Sequence, residues 1–175
     1  MALSIHYAPD PVLQTKSTPI DVFDDDLRAL LDEMVTVMYR EDGMGLAANQ
    51  VGITKRFVIV DIDESGENPD PRKMVNPEIT WASDKTIAMN ESCISLPGIY
   101  PEVVRPEEVE VSYQDEFGEK HTIKSGGIIA RCLQHEIDHL DGKLSIDYQS
   151  PLRRKMLMRK LIKNKRIIER KKKQV

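Results

Sequence analysis

Residues 135–139, His-Glu-Ile-Asp-His, set two imidazoles four positions apart with a carboxylate directly after the first. On a helix, residues i and i+4 stack on one face, so both rings can reach a single ion at about 2.0–2.1 Å. Glu136 then stands beside the open coordination position, where a carboxylate can take a proton from water and return it to a leaving group. A catalytic ion of this kind needs a third protein ligand, and its identity decides the reaction class. The third histidine of one large metallopeptidase class is missing, because Ser145 stands six residues after His139. A downstream glutamate could only be Glu169, which is set among cations. Cys132 and His139 lie about 10.5 Å apart along a helix axis, too far to share an ion also held by His135, so Cys132 is expected to pack beside the site. Cys93 remains, in the β-rich stretch ESCISLPG, far enough away in sequence to fold back over the helix from a strand. Cys93, His135 and His139 then make a three-ligand set that leaves one position for water, whose pKa an ion lowers toward about 7. With Glu136 as proton carrier, that set suits hydrolysis of an amide-like bond. Two other readings stay open on these residues alone. One is a peptidase whose third ligand is not Cys93. The other is an RNA-binding module with a structural ion, which needs a fourth protein ligand that the sequence does not evidently offer.

The elements that must position these groups can be read from periodicity. Residues 24–41 repeat Leu27, Leu30, Leu31, Met34, Val35 and Met38 on one helical face behind a run of aspartates, and Gly43 is expected to end that helix. GMGLAANQVG at 43–52 suits tight backbone against a packed neighbour. RFVIVDI at 56–62 reads as a buried strand and residues 64–73 as a loop or hairpin tip. MVNPEITWAS at 74–83, the segment around Cys93, and residues 109–115 and 120–125 read as further strands, with DEFGE as the turn between the last two. Short strands joined by turns imply antiparallel pairing. In the helix that carries the two histidines, Ile129, Leu133, Ile137 and Leu140 form one apolar stripe, and Cys132, His135, Glu136 and His139 form a polar face. Gly142 sits at its stop. Ser150-Pro151 resembles an N-cap and first helical residue, and without Gly or Pro from 152 onward a terminal helix of up to about 37 Å can follow. The expected fold is α+β: antiparallel β-sheets packed around a central metal-binding helix, with an N-terminal amphipathic helix and a C-terminal helix.

A chain of 175 residues with 40% hydrophobic and 31% charged residues is expected to form one soluble globular domain. Its longest aliphatic or aromatic run, Phe57 to Val60, is far short of the roughly 18 residues that suggest a bilayer span, so no membrane association is expected. The N-terminal MALSIHYAPDPVLQ lacks the features of a secretory or transit signal, which makes the cytoplasm the expected location. Two cysteines give no disulfide framework, and no glycine-rich phosphate loop is present. The net charge of −4 hides a division: residues 151–175 hold 12 Lys or Arg against one Glu, a charge of +11, and the remainder carries −15. Such a basic end suits a polyanionic partner.

Three separated blocks, GMGLAANQ at 43–50, ESCIS at 91–95 and QHEIDHL at 134–140, resemble the three signature motifs of the peptide deformylases, in the same order and spacing and within a chain similar over nearly its whole length. The resemblance implies a cytoplasmic metalloenzyme that removes the N-formyl group from the initiator methionine of nascent polypeptides and releases formate. It implies one divalent ion, usually Fe²⁺, with Zn²⁺, Ni²⁺ or Co²⁺ able to use the same ligands. By motif position, Cys93, His135 and His139 hold the ion, Glu136 is the general acid and base, and Gln50 with the backbone N–H of Ile94 donates to the oxyanion. Gly45 pairs with substrate backbone and Met44 lines the methionine pocket. The second motif departs at Ser92, which replaces a glycine. If that glycine serves a positive φ or unobstructed contact with substrate, the serine adds a Cβ and about 1 kcal/mol or more of strain, weakening peptide binding or narrowing substrate choice. Glu91 is expected to anchor its segment through a buried hydrogen bond or ion pair, with Arg105 as one possible partner. Residues 1–150 are read as the catalytic domain and 151–175 as a basic helix continuous with it. As in some bacterial relatives, that helix is expected to meet ribosomal RNA phosphates, although a solvated helix packing Met156, Leu157, Leu161 and Ile168 on the body is the alternative.

Overall fold

Asp24 opens helix α1 (Asp25–Arg40): its carboxylate accepts the Leu27 N–H at 2.9 Å, and Asp25 and Asp26 occupy the first turn, where the helix dipole favours anions. The computed structural model describes residues 3–172. The ends of both expected segments, residues 1–2 and 173–175, lie outside the described residues. The buried face of α1 is Leu27, Leu31, Met34, Val37 and Met38, with Leu30 and Val35 half-buried along its border. The helix stops on Asp42 rather than Gly43. Asp42 takes φ 53°, and this lets the Gly43 N–H reach the Met38 carbonyl at 2.9 Å.

Seven strands follow: β1 (Gly45–Ala47), β2 (Phe57–Asp61), β3 (Pro71–Ala82), β4 (Thr86–Asn90), β5 (Glu102–Pro106), β6 (Glu108–Gln114) and β7 (Lys120–Gly126). A five-stranded antiparallel sheet has the order β1-β2-β3-β6-β7, and β4 and β5 form a separate antiparallel pair. Strand β2 is buried at every residue, as its unbroken apolar run implies. Helix α2 (Gly127–Leu140) lies between the sheets, against β1, β2, β6 and β7 on one side and β5 on the other. The fold is therefore α+β with antiparallel sheets, as the sequence suggested.

Two local expectations change. The segment around Cys93 is a turn, not a strand: the Glu91 N–H closes onto the Pro101 carbonyl, and the Leu96 N–H turns back to the Cys93 carbonyl at 3.0 Å. Its β-forming residues are apolar because Leu96 and Ile99 fill a second core cluster, not because they belong to a ladder. Conversely, Gly45–Ala47 is a strand, paired with Val58–Val60, and it forms one edge of the large sheet.

Ser150 caps helix α3 (Pro151–Lys172), accepting the Arg153 N–H on its side chain at 3.3 Å. Leu161 is fully buried with Leu13, Leu96, Ile99, Leu144 and Ile146, and Leu157 and Met158 pack beside it. Met156, expected on that face, is exposed. Arg153, Lys155, Arg159, Lys160, Lys163 and Arg166 are exposed as well. Among the described residues no helix is long and apolar enough to cross a membrane.

Helix α2 ends where the chain passes Gln14. Gly142 has φ 73°, and a Cβ there would lie 2.5 Å from the Gln14 carbonyl oxygen. Gly142→Ala is expected to destabilise the fold by about 2 kcal/mol or more, since both the backbone conformation and the space oppose a side chain. Urea unfolding checks this, and an unchanged midpoint contradicts it.

Candidate metal centre and active site

Three elements converge at the buried face of α2. His135 and His139 project from successive turns with their rings nearly perpendicular and their Nε2 atoms 3.1 Å apart. The Cys93 Sγ arrives from the turn after β4 and stands 3.2 Å from His139 Nε2. A tetrahedral ion held at about 2.0–2.1 Å by two nitrogens spaces them about 3.3 Å apart, so the separation fits a shared ion. One thiolate and two imidazoles form a donor set suited to a first-row transition metal or zinc. Burial and the adjacent His135 ring keep His139 well below the usual imidazole pKa, which favours the neutral ring, the form able to bind a metal ion. At His135 burial also disfavours charge, but the Cys93 sulfur and the Glu91 and Glu136 carboxylates outweigh it and raise the proton affinity. A pocket that attracts a proton so strongly attracts a divalent cation for the same reason.

Glu91 is the hub of the surrounding polar network. Its carboxylate is 4% exposed and receives the His135 Nδ1–H at 2.9 Å, Arg131 at 2.7 Å, and two nitrogens of Arg105, one of them at 3.0 Å. Burial alone would raise its pKa, but the hydrogen bonds from His135 and Arg105 prevail and hold it at about 2. Donating through Nδ1 leaves Nε2 as the His135 nitrogen that could hold an ion shared with His139. Arg105 also reaches Asp138 at 2.8 Å, and Asp138 accepts from the Tyr148 hydroxyl at 2.7 Å. Arg105 was foreseen as a partner of Glu91. Arg131, Asp138 and Tyr148 were missed, and the only signal for them was that a buried helix carries charges on the side away from the ion.

Glu136 is buried, and its Oε2 has no hydrogen-bond partner among the described residues. Burial pushes the carboxyl up to about 7, with the His135 ring opposing and Glu91 adding to the rise. Gly45 makes room for it, because a Cβ there would fall 2.6 Å from Glu136 Oε1 and 2.7 Å from Cys132 Sγ. Cys132 thus packs beside the site, its thiol pushed well above the usual range by burial and then by Glu136. Gln50, on the one-turn segment after β1, accepts the Ala47 N–H on Oε1 at 2.8 Å. Its Nε2 consequently faces Ser95 Oγ at 3.1 Å and Cys93 Sγ at 3.6 Å. Asn49 donates to the His139 carbonyl and so ties that segment to α2. Ser95 and Asn49 lie within the ESCIS and GMGLAANQ blocks, and no residue-type signal of their own marks them in the sequence.

These groups form the floor of an open cavity of about 510 Å³, into which Met44, Gly45, Gln50 and Ile94 also face. Ser92 stands exposed at its margin. The expected backbone strain at Ser92 is absent, since Asp42 and Asn76 are the non-glycine residues with positive φ among those described. Serine at this position adds a hydroxyl to the cavity without straining the turn.

Glu91→Gln is expected to destabilise the fold by about 3 kcal/mol, because it leaves the buried Arg131 without a counter-charge and Arg105 with Asp138 alone. The depressed Glu91 pKa also contributes stability that is complete above about pH 4.5 and lost as the pH falls toward 2. Denaturation across that range checks both effects, and the variant is expected to show a flatter acid limb.

Residues 2–155 match the family model described as polypeptide deformylase. A peptide deformylase of Rhizobium meliloti is 43% identical over 155 residues, covering 89% of each chain. Two solved structures superpose closely. A peptide deformylase from Legionella pneumophila has a TM-score of 0.90 and 42% identity over 97% of this chain and 99% of its own. One from Ehrlichia chaffeensis, in complex with actinonin, has a TM-score of 0.89 and 37% identity over 94% and 98%. With agreement in sequence across nine-tenths of the chain and in backbone across nearly all of it, this protein is a member of the polypeptide deformylase family.

Proposed function

We propose that this chain removes the N-formyl group from N-formylmethionine at the N-terminus of nascent polypeptides, using one divalent ion. The observation that carries the reading is the convergence of Cys93 Sγ with the His135 and His139 Nε2 atoms beside the buried Glu136 carboxylate. Those three residues would hold the ion: Fe²⁺ in the cell, with Zn²⁺, Ni²⁺ or Co²⁺ able to take the same ligands. When bound, the ion supplies a Lewis acid for the formyl oxygen and makes water acidic enough to attack at neutral pH.

The remaining chemistry belongs to the chain. The formyl-methionine backbone extends along the free edge of β1 at Gly45, and the methionine side chain enters the cavity beside Met44. Glu136 accepts the proton that water loses as its oxygen bonds to the formyl carbon. The same carboxyl delivers that proton to the methionine nitrogen as the C–N bond breaks, leaving formate and a free amine. Gln50 Nε2 and the Ile94 N–H donate to the formyl oxygen as it gains charge, and Gln50 needs no reorganisation because Ala47 already fixes its amide.

Nascent chains place the enzyme in the cytoplasm, at the ribosome. The exposed cations of α3 support docking on RNA phosphates. No aromatic residue follows Tyr148, so this contact is ionic and salt-sensitive rather than sequence-reading.

Two measurements test the reaction. In anaerobically purified protein, Glu136→Gln is expected to lower formate release from a formyl-Met peptide by about 10³ or more while one ion per chain remains bound. Cys93→Ala is expected to lose the ion. Retention of metal by Cys93→Ala favours a peptidase with another third ligand. The base must be ionised, and the charge of a bound ion pulls Glu136 down from about 7. Accordingly kcat/KM is expected to fall with decreasing pH through a single midpoint at or below 7, and a profile flat from pH 5 to 8 contradicts Glu136 as the base.

A further inference from the structure

A continuous line of side-chain contacts runs from the surface to one of the metal-site histidines. It begins at Tyr148, at the end of the one-turn segment Ser145–Tyr148 that precedes α3. The Tyr148 hydroxyl donates to Asp138 Oδ2 at 2.7 Å, and the same oxygen accepts Arg105 Nη1 at 2.8 Å. Arg105 meets the Glu91 carboxylate through its other edge, Nε and Nη2, and its guanidinium carbon lies 5.1 Å from the centroid of the Tyr148 ring. Glu91 Oε2 then faces His135 Nδ1 at 2.9 Å. Tyr148 is 47% exposed, whereas Arg105 and Glu91 are each 4% exposed. The tyrosine is also held in place by its neighbours in sequence: Gln149 donates to the Glu102 carbonyl of β5, and Asp147 accepts from Arg154 of α3, each at 2.6 Å. Neither Tyr148, Asp138 nor Arg105 lines the catalytic cavity.

The inference rests on the reading of Cys93, His135 and His139 as ligands of one divalent ion. We infer that Tyr148 is a positioning residue of that centre: acting through Asp138, Arg105 and Glu91, it holds the His135 ring in place and so slows release of the ion. The physical basis is the guanidinium plane. Its N–H groups form a rigid fork, so a plane gripped along both edges cannot rotate without breaking one pair or the other. Glu91 grips one edge and Asp138 the other, and Glu91 in turn fixes the nitrogen and the orientation of His135. Tyr148 secures the outer edge twice, since its hydroxyl holds Asp138 Oδ2 beside Nη1 and its ring covers the guanidinium face. Removing a group bonded directly to a ligand histidine typically costs about 10- to 100-fold in metal affinity. Tyr148 acts from further out, and its hydroxyl is accordingly assigned a smaller effect, about fivefold. Its loss changes no charge, so the field at the ion stays the same.

The test is the rate of ion release from the full chain. Wild type, Tyr148→Phe, Arg105→Lys and the double variant are loaded anaerobically with Co²⁺, and loss of the cobalt–thiolate absorption is followed in excess EDTA at 25 °C. Tyr148→Phe is expected to release Co²⁺ about fivefold faster than wild type. In the Arg105→Lys background, where the fork is gone, the same substitution is expected to change the rate by less than about 1.5-fold, the non-additivity of two groups in one network. If Arg105→Lys does not fold, Asp138→Ala breaks the line at the neighbouring link and replaces it in the cycle. Thermal unfolding of the metal-free proteins separates positioning from bulk stability. A Tyr148→Phe protein that melts earlier but releases Co²⁺ at the wild-type rate overturns the inference. An equal acceleration in the wild-type and Arg105→Lys backgrounds also overturns it, because the effect then bypasses Arg105. A folded wild type that takes up no Co²⁺ overturns instead the three-ligand reading on which the inference stands.

Discussion

One buried carboxylate organises the centre of this molecule. Glu91 lies where water cannot reach it, and an isolated carboxylate in such a place is costly enough to protonate rather than stay charged. It remains ionised because Arg105 from β5, Arg131 from the second turn of α2, and His135 one turn further on all donate to it. The charge thus compels three elements distant in sequence to meet in one geometry. Because His135 is among the donors, the same interaction selects the ring nitrogen that faces Cys93 and His139. The orientation of the His135 ring and the packing of the β4–β5 pair on α2 are consequently one requirement, and neither can relax without disturbing the other.

That requirement explains why α2 is buried on nearly every side yet is not uniformly apolar. Leu133, Ile137 and Leu140 face the large sheet, while Arg131, His135, Glu136 and His139 face the smaller sheet and the cavity. A helix with polar residues turned inward is stable only if each finds a partner. The unpartnered atoms are informative because they are so few. Glu136 Oε2 and His139 Nδ1 lie at the site itself, and the Glu136 carboxyl is further shielded by the close approach of β1 at Gly45. The raised affinity of Glu136 for a proton follows directly from this shielding. Such a setting, unlike an open surface, suits the proton-carrying role proposed for Glu136.

Much of this was legible from residue types. The amphipathic period of α1, the unbroken apolar run of β2 and the i, i+4 histidines of α2 each follow from a local rule, and the structure contains all three. Cys93 could be singled out because few other residues could complete a three-ligand set, but its backbone was misread. ESCISLPG is rich in β-formers, and local propensity cannot distinguish a strand from a turn whose apolar residues are claimed by a distant cluster. Strand β1 was missed for the opposite reason: Gly45 and Ala47 have little β propensity, and only pairing with β2 makes the segment extended. The network around Glu91 was only partly visible, because Arg131 and Asp138 look like ordinary charges on a helix until the fold places Arg105 between Glu91 and Asp138.

The two faces of α3 bear on how a small enzyme can be matched to a substrate that is still being made. The inner face holds the turn after Cys93 through Leu161 and Asn164, and the outer face presents exposed Arg153, Arg159 and Lys163. A helix of 22 residues spans about 33 Å, enough to carry a surface contact and a cavity contact on one rigid element. Charge attraction over a Debye length of about 8 Å brings a basic surface to a polyanion without ordering the peptide. On the inner face, Ile168 lines the catalytic cavity, where contact is short-ranged. The sharp charge division of the sequence, +11 in the last 25 residues against −15 elsewhere, is in this light the signature of an acidic catalytic body joined to a basic helix whose inner face completes the body's own cavity.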